Sequence, residues 1–142
     1  MNPLRSLSDY EQFIYTLQQQ YSVISRSTLV VIRRGPLAAT VQGELELSQG
    51  FRLHVREHLT FTRSPGAIKS YGYEVWQGEK LLYWYASQPH PHIAELASTA
   101  PHHKHIHPNI KHNRVPAPGL SFDQPNLPFL VKEIEYEYLA NV

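Results

Sequence analysis

Cysteine is absent from the 142 residues, and methionine occurs once. Disulfides, thiolate nucleophiles and thiolate metal ligands are therefore excluded, and the fold is indifferent to redox compartment. No apolar run approaches the roughly 20 residues that a membrane-spanning helix requires. Charge of one sign is lacking as well. Lys and Arg number 13 against 12 Asp and Glu, a net +1 with neutral histidines, which is no footprint for wholesale electrostatic binding to nucleic acid. The opening Met1-Asn2-Pro3-Leu4-Arg5 offers no apolar stretch of a secretory signal. The expectation is a cytoplasmic protein with no membrane partner. Gly-rich phosphate loops, a Ser-centred nucleophile elbow and zincin spacing are missing too.

What is present is unevenly placed. Seven of the nine histidines fall between residues 90 and 112, and eight of the eleven prolines between 89 and 128. The densest stretch is Pro101-His102-His103-Lys104-His105-Ile106-His107-Pro108, preceded by Pro89-His90-Pro91-His92. The packing of a soluble core does not call for such a cluster. The nine tyrosines and two tryptophans favour strands and amphipathic surfaces.

The chain reads as one α+β domain over 1–142: a five-stranded antiparallel meander with a helix at each end and a long irregular His/Pro-rich segment. Ser8-Asp9-Tyr10-Glu11 has the form of a capping box. Tyr10, Phe13, Ile14 and Leu17 follow at helical spacing, giving a helix over 8–20. The sheet spans 21–86. Its first strand ends at Arg33-Arg34-Gly35-Pro36, and its second runs Thr40–Leu47. The third alternates Phe51, Leu53, Val55, Leu59 and Phe61 toward a core, so Arg52, His54, Arg56 and His58 share the opposite face. Glu57 interrupts the apolar series and, if it points inward, needs Arg or Tyr as a partner. The fourth strand, Ile68–Trp76, sets Lys69, Tyr71, Tyr73 and Val75 on one face, and Leu81–Tyr85 is the fifth. Residues 87–125 form the irregular segment, with one possible helical turn at Ile93–Ala97. A helix over 126–140 follows, capped by Asn126 with Pro128 in its first turn.

Three jobs suit the histidine tract. As a metal site, His102 with His105, or His103 with His105 and His107, can converge, with His90 or His92 adding a ligand. The tract lacks Cys and a neighbouring carboxylate, so no metal or cofactor is assigned. As an acid–base site, imidazoles exchange protons near neutrality. Metal-independent RNA cleavage needs a base for the ribose 2′-OH, an acid for the leaving 5′-oxygen and a cation for the phosphate. His103 and His105 supply acid and base, Lys104 or Arg56 the cation, and Tyr71 or Tyr73 an extra donor. As a structural loop, the imidazoles hydrogen-bond backbone groups and brace the segment.

The order of these features resembles the TumE-like family of type II toxin–antitoxin toxins. The matching positions are Tyr71 and Tyr73, Leu81 to Tyr85, Pro89 and His90, and Pro101 to His105. The hairpin at Gly50 and the Val55-Arg56-Glu57 strand match more loosely. The resemblance covers about residues 40–138, and only the histidine motif is specific. The family carries Arg-Tyr-Asp after its Leu-Leu strand, whereas this chain has Trp84, Tyr85 and Ala86. If that Arg and Asp serve the activity, it is weakened here or their role passes to Arg56 or Lys104. The resemblance implies a growth inhibitor neutralised by a cognate antitoxin. Together with the histidine chemistry it gives a ribonuclease as the expectation, with His103, His105, Lys104, His90, Tyr71 and Tyr73 as catalytic candidates. Arg52, His54, Arg56, His102 and Tyr85 are the candidates for binding an RNA substrate. A non-catalytic RNA- or protein-binding module is the alternative, and a metal-dependent hydrolase the second alternative.

Overall fold

The computed structural model describes residues 2–139. It opens with helices α1 (Leu7–Tyr15) and α2 (Leu17–Gln20), which bury Tyr10, Phe13, Ile14 and Leu17, the stripe that the helical spacing marks out. The cap differs from the expected box at Ser8. Ser6 is the N-cap, its hydroxyl accepting from the Asp9 amide at 3.1 Å, while Glu11 receives Arg33 at 2.6 Å. The single helix expected over 8–20 breaks at Thr16. Its hydroxyl donates to the Gln12 carbonyl at 2.7 Å, the local back-bonding that bends helices.

The first strand expected is two: β1 (Ile24–Ser27) and β2 (Val30–Arg33). Both run antiparallel to β3 (Ala38–Leu47), β1 against its end at Leu45–Leu47 and β2 against Ala39–Gln42. The step between them crosses Gly43, whose φ is +136°. A Cβ there would stand 2.6 Å from the Thr28 carbonyl oxygen and 2.9 Å from Leu29 Cα, so the crossing requires glycine. Gly43→Ala should cost about 2–3 kcal/mol, seen as a lower urea midpoint. A variant as stable as the parent would show that this crossing gives way easily.

From β3 the chain meanders through β4 (Phe51–Thr60), β5 (Ala67–Gln77) and β6 (Lys80–Ala86). A bulge opposite His58 and Leu59 inserts Lys69 as an extra residue. Lys69 is thus exposed and does not share the buried face of Tyr71, Tyr73 and Val75.

Regularity does not stop after β6. The histidine tract is itself a strand, β7 (His103–His105), paired with β6, and β8 (Arg114–Pro116) pairs with β7. Among the described residues the antiparallel sheet therefore has eight strands, not five, in the order β1-β3-β4-β5-β6-β7-β8, with β2 also on β3. A 3-10 turn at Ala94–Thr99 buries Leu96 within the preceding segment. The last helix is α3 (Leu127–Ile134), continued by a π-helical turn over Glu135–Leu139. The expected end at 140 lies outside the described residues. Asn126 does not cap α3 with its side chain. Its amide bridges instead, accepting from the Ser121 amide at 2.9 Å and donating to the Tyr73 hydroxyl at 3.1 Å.

The helices pack on one face of the sheet. There Leu53, Val55, Tyr73, Val75, Tyr83 and Tyr85 join Tyr10, Ile14, Leu127, Leu130 and Ile134 in one buried cluster. Glu57 points into it, fully buried. Its two carboxylate oxygens accept from the Tyr10 hydroxyl at 2.6 Å and the Tyr73 hydroxyl at 2.5 Å. Tyrosine is thus the partner an inward Glu57 needs. Burial pushes this carboxyl above the usual carboxylate range, although both hydroxyl donors pull it down.

Candidate functional site

The opposite, helix-free face carries the chemistry, and strand register sets its order. Arg56 pairs with Gly72, Gly72 with Ala86, and Ala86 with His103. These four residues make one row across β4, β5, β6 and β7. Residues paired across a sheet project to the same side, so Arg56 and His103 face the same way. Three strand spacings, about 14 Å, separate their backbones. The residues between them are the two smallest kinds of side chain, which leaves a trough. The next row runs His54, Glu74, Trp84, His105 and Arg114.

A cleft of about 650 Å³ occupies this region. Gly72, Ala86 and Tyr71 line it, together with Arg56, His58 and Lys69 and with Trp84, Gln88, Pro89 and Pro101. The Arg56 guanidinium folds over Gly72, with Nη2 3.5 Å from where a Cβ would stand. Among the described residues no acidic side chain lines the cleft. Neither Arg56 nor Lys69 makes an ion pair among the described residues. Arg52 lies farther along the face, paired with Glu44 at 2.7 Å and 5.6 Å from the centre of the Trp76 ring. His54 is exposed beside it. A larger hollow of about 740 Å³ lies beside α3, lined by Val23, Phe129, Tyr136 and Leu139. It is mostly apolar and no histidine lines it, so the smaller cleft is the better candidate.

His103 and His105 stand behind the wall of this cleft. They are only 1% and 2% exposed. His103 Nδ1 donates to the Pro101 carbonyl at 3.0 Å, and His105 Nδ1 to the Ile110 carbonyl at 2.9 Å. The two Nε2 atoms face each other at 3.1 Å. Trp84 stacks on the His105 ring at 3.6 Å and 9°, and the His90 ring meets His103 edge-on at 4.8 Å. Burial first, then the charge of Arg114, pushes His103 below the usual imidazole value. Burial, His103, Arg114 and His90 together hold His105 down to about 4. These backbone hydrogen bonds are the bracing role foreseen for the tract.

Several sequence candidates lie elsewhere. Lys104 alternates with its neighbours and so projects to the helical face. There its ammonium sits 3.5 Å from Glu133 and 4.2 Å from the Tyr83 ring centre, and it cannot serve the histidines. Tyr73 is spent on Glu57 and Asn126, and Tyr85 donates to Glu133 at 2.7 Å. Tyr71 contacts His102 Nδ1 at 2.5 Å, the two rings stacked at 5.6 Å. Burial raises all three phenols above their usual range, which unfits them for proton transfer near neutrality. The structure thus sets Arg56 and Tyr71 on the cleft, with His102 stacked on Tyr71, and groups His90, His103 and His105 with one another, while Lys104, Tyr73 and Tyr85 lie apart from both. His92 and His112 are exposed, and His107 donates to the Leu81 carbonyl at 2.7 Å.

Reading the sequence missed Arg114, Lys69 and the position of Trp84. Alternation with Tyr83 and Tyr85 was the available signal for Trp84. Arg114 sits in a three-residue strand ending in proline, too short to show periodicity. Its Nε is buried with no hydrogen-bond partner among the described residues. Those residues also contain no group of three His, Asp or Glu side chains placed to hold a metal, and no helix long and apolar enough to cross a membrane.

A family model described as Toxin TumE matches residues 13–136, nearly the whole chain. No curated protein and no solved structure matches.

Proposed function

The chain belongs to the TumE family of toxins, whose toxin–antitoxin setting implies a cognate antitoxin, and from that premise we propose that its target is RNA, cleaved without metal. The row Arg56–Gly72–Ala86–His103 supports this reading, because it sets a free guanidinium and an imidazole at the two ends of one trough. In the proposed reaction Arg56 holds the phosphate, with His58 and Lys69 on the flanking backbone. A histidine of the pair takes the 2′-OH proton. The O2′–P bond forms, the P–O5′ bond breaks, and the other histidine protonates the leaving oxygen. The products are a 2′,3′-cyclic phosphate and a 5′-hydroxyl. Segment 88–101, whose Pro89 and Pro101 wall the cleft, must lift for the ribose to reach the rings.

The burial of both histidines favours a second reading, in which the cleft binds single-stranded RNA and performs no chemistry. Trp84 would then serve as a stacking surface. Sequencing of RNA ends after induced expression separates the two readings. New 5′-hydroxyl ends support cleavage, and growth arrest without new ends supports binding alone. New ends that vanish when purified protein is treated with chelator would point to the metal-dependent alternative. Gly72→Leu fills the trough. A Cβ there meets only the movable Arg56 side chain, so folding should persist while RNA affinity drops at least tenfold. Unchanged affinity in a folded Gly72→Leu protein would move RNA binding away from this cleft.

A further inference from the structure

The contacts of the His103–His105 pair call for three protons, and two neutral imidazoles carry two. A backbone carbonyl can only accept. Each Nδ1 must therefore be protonated toward its carbonyl, Pro101 for His103 and Ile110 for His105. Both rings have then used their proton, and two bare Nε2 lone pairs confront each other at 3.1 Å. Exchanging either tautomer only moves the clash to a carbonyl oxygen. Buried polar atoms left in this state are costly.

We infer that at neutral pH the two Nε2 atoms hold one additional proton between them, so that the pair carries a single positive charge. A metal fills this place less well. The observed 3.1 Å suits an N–H···N bond, and no third ligand is grouped with the pair among the described residues. The titratable and charged groups near the pair are His90 from segment 88–101, His102 beside β7 and Arg114 from β8. All are cationic or able to become so. Burial and these charges lower both imidazoles and so work against the shared proton as well as against a second one; the two Nδ1–H···O=C bonds and the 3.1 Å Nε2–Nε2 contact are what favour it.

The consequence for chemistry rests on the RNA-cleaving reading above. A pair sharing one proton is at once an imidazole and an imidazolium. It presents the base for the 2′-OH and the acid for the 5′-oxygen together, without waiting for two independent titrations. The proton gained from the ribose replaces the one given to the leaving group, so the pair ends each cleavage with the charge it began with.

Nitrogen-15 NMR of the histidine rings tests the shared proton with no RNA present. The expected result is two protonated Nδ1 atoms and one strongly deshielded proton coupled to both Nε2 atoms, persisting across neutral pH. Two neutral rings without that proton would overturn the inference, as would stoichiometric zinc in protein purified without a metal column. His105→Gln supplies a second readout, because an amide donates to His103 without adding charge. The deshielded signal should vanish, and the net charge of the folded protein at neutral pH should fall by one. An unchanged charge would count against the shared proton. A protein that shows the proton yet leaves RNA intact would overturn the RNA-cleaving reading alone.

Discussion

Glu57→Leu is expected to lower the unfolding free energy by about 2–6 kcal/mol, because two buried hydroxyls lose their acceptor at about 1–3 kcal/mol each. Tyr10 and Tyr73 both end on Glu57, and no water-exposed route replaces the carboxylate in the core. A domain of this size has about 5–15 kcal/mol in all, so the loss is decisive and is measurable in urea melts. Glu57→Gln should behave differently. Its amide accepts one hydroxyl and donates to the other, keeping both contacts without a buried charge. The pH dependence separates the two substitutions. The folded carboxyl titrates above its unfolded value, so its contribution is fully present below the unfolded value near 4.5 and is lost as pH rises through the folded value. Wild-type stability should therefore decline across that window, and Glu57→Gln should remove that part of the decline. Identical pH profiles for wild type and Glu57→Gln would show that Glu57 does not titrate with a raised value.

Replacing His103 and His105 together by Gln is expected to slow RNA cleavage about 10²–10⁴-fold, the usual worth of positioned acid–base groups, while RNA affinity stays within a few-fold of wild type. Arg56→Ala should do the reverse in binding. Removing one phosphate contact lowers the salt slope of log affinity by about 0.7 for single-stranded RNA, with a matching rise in Kd. Circular dichroism and a urea melt on each variant establish that the fold is kept. Cleavage at the wild-type rate by a folded double Gln variant would exclude the pair from the chemistry. A salt slope unaltered by Arg56→Ala would exclude its contact with phosphate.

The strands from β3 to β6 were legible because their alternation is long: the apolar residues of β4 declared its inward face, and Glu57 on that face announced the need for an Arg or Tyr partner. The tract was not legible as strand, since three residues cannot show a period and prolines surround them. What it did contain was parity. His103 and His105 are two apart and Lys104 lies between them, so any extended backbone sends Lys104 to the other side. The same parity places Tyr73 with Val75 in the core, whereas Tyr71, nearer the strand's bulged end, reaches the cleft. The trough was hidden for a different reason. Arg56, Gly72, Ala86 and His103 are neighbours only through three pairing registers, and register is set by turns and bulges such as the one at Lys69. Arg114 became visible only once β8 was paired.

Eight strands leave two borders to the sheet, and neither invites another chain. On one side β1 and β2 offer four residues each and are offset where they cross Gly43. On the other, β8 is three residues long and ends in Pro116, which has no amide hydrogen to give. An incoming strand finds no continuous ladder on either side, which guards against edge-to-edge aggregation of this protein. It also constrains neutralisation: an antitoxin that relied on strand addition would gain only three or four consecutive pairings.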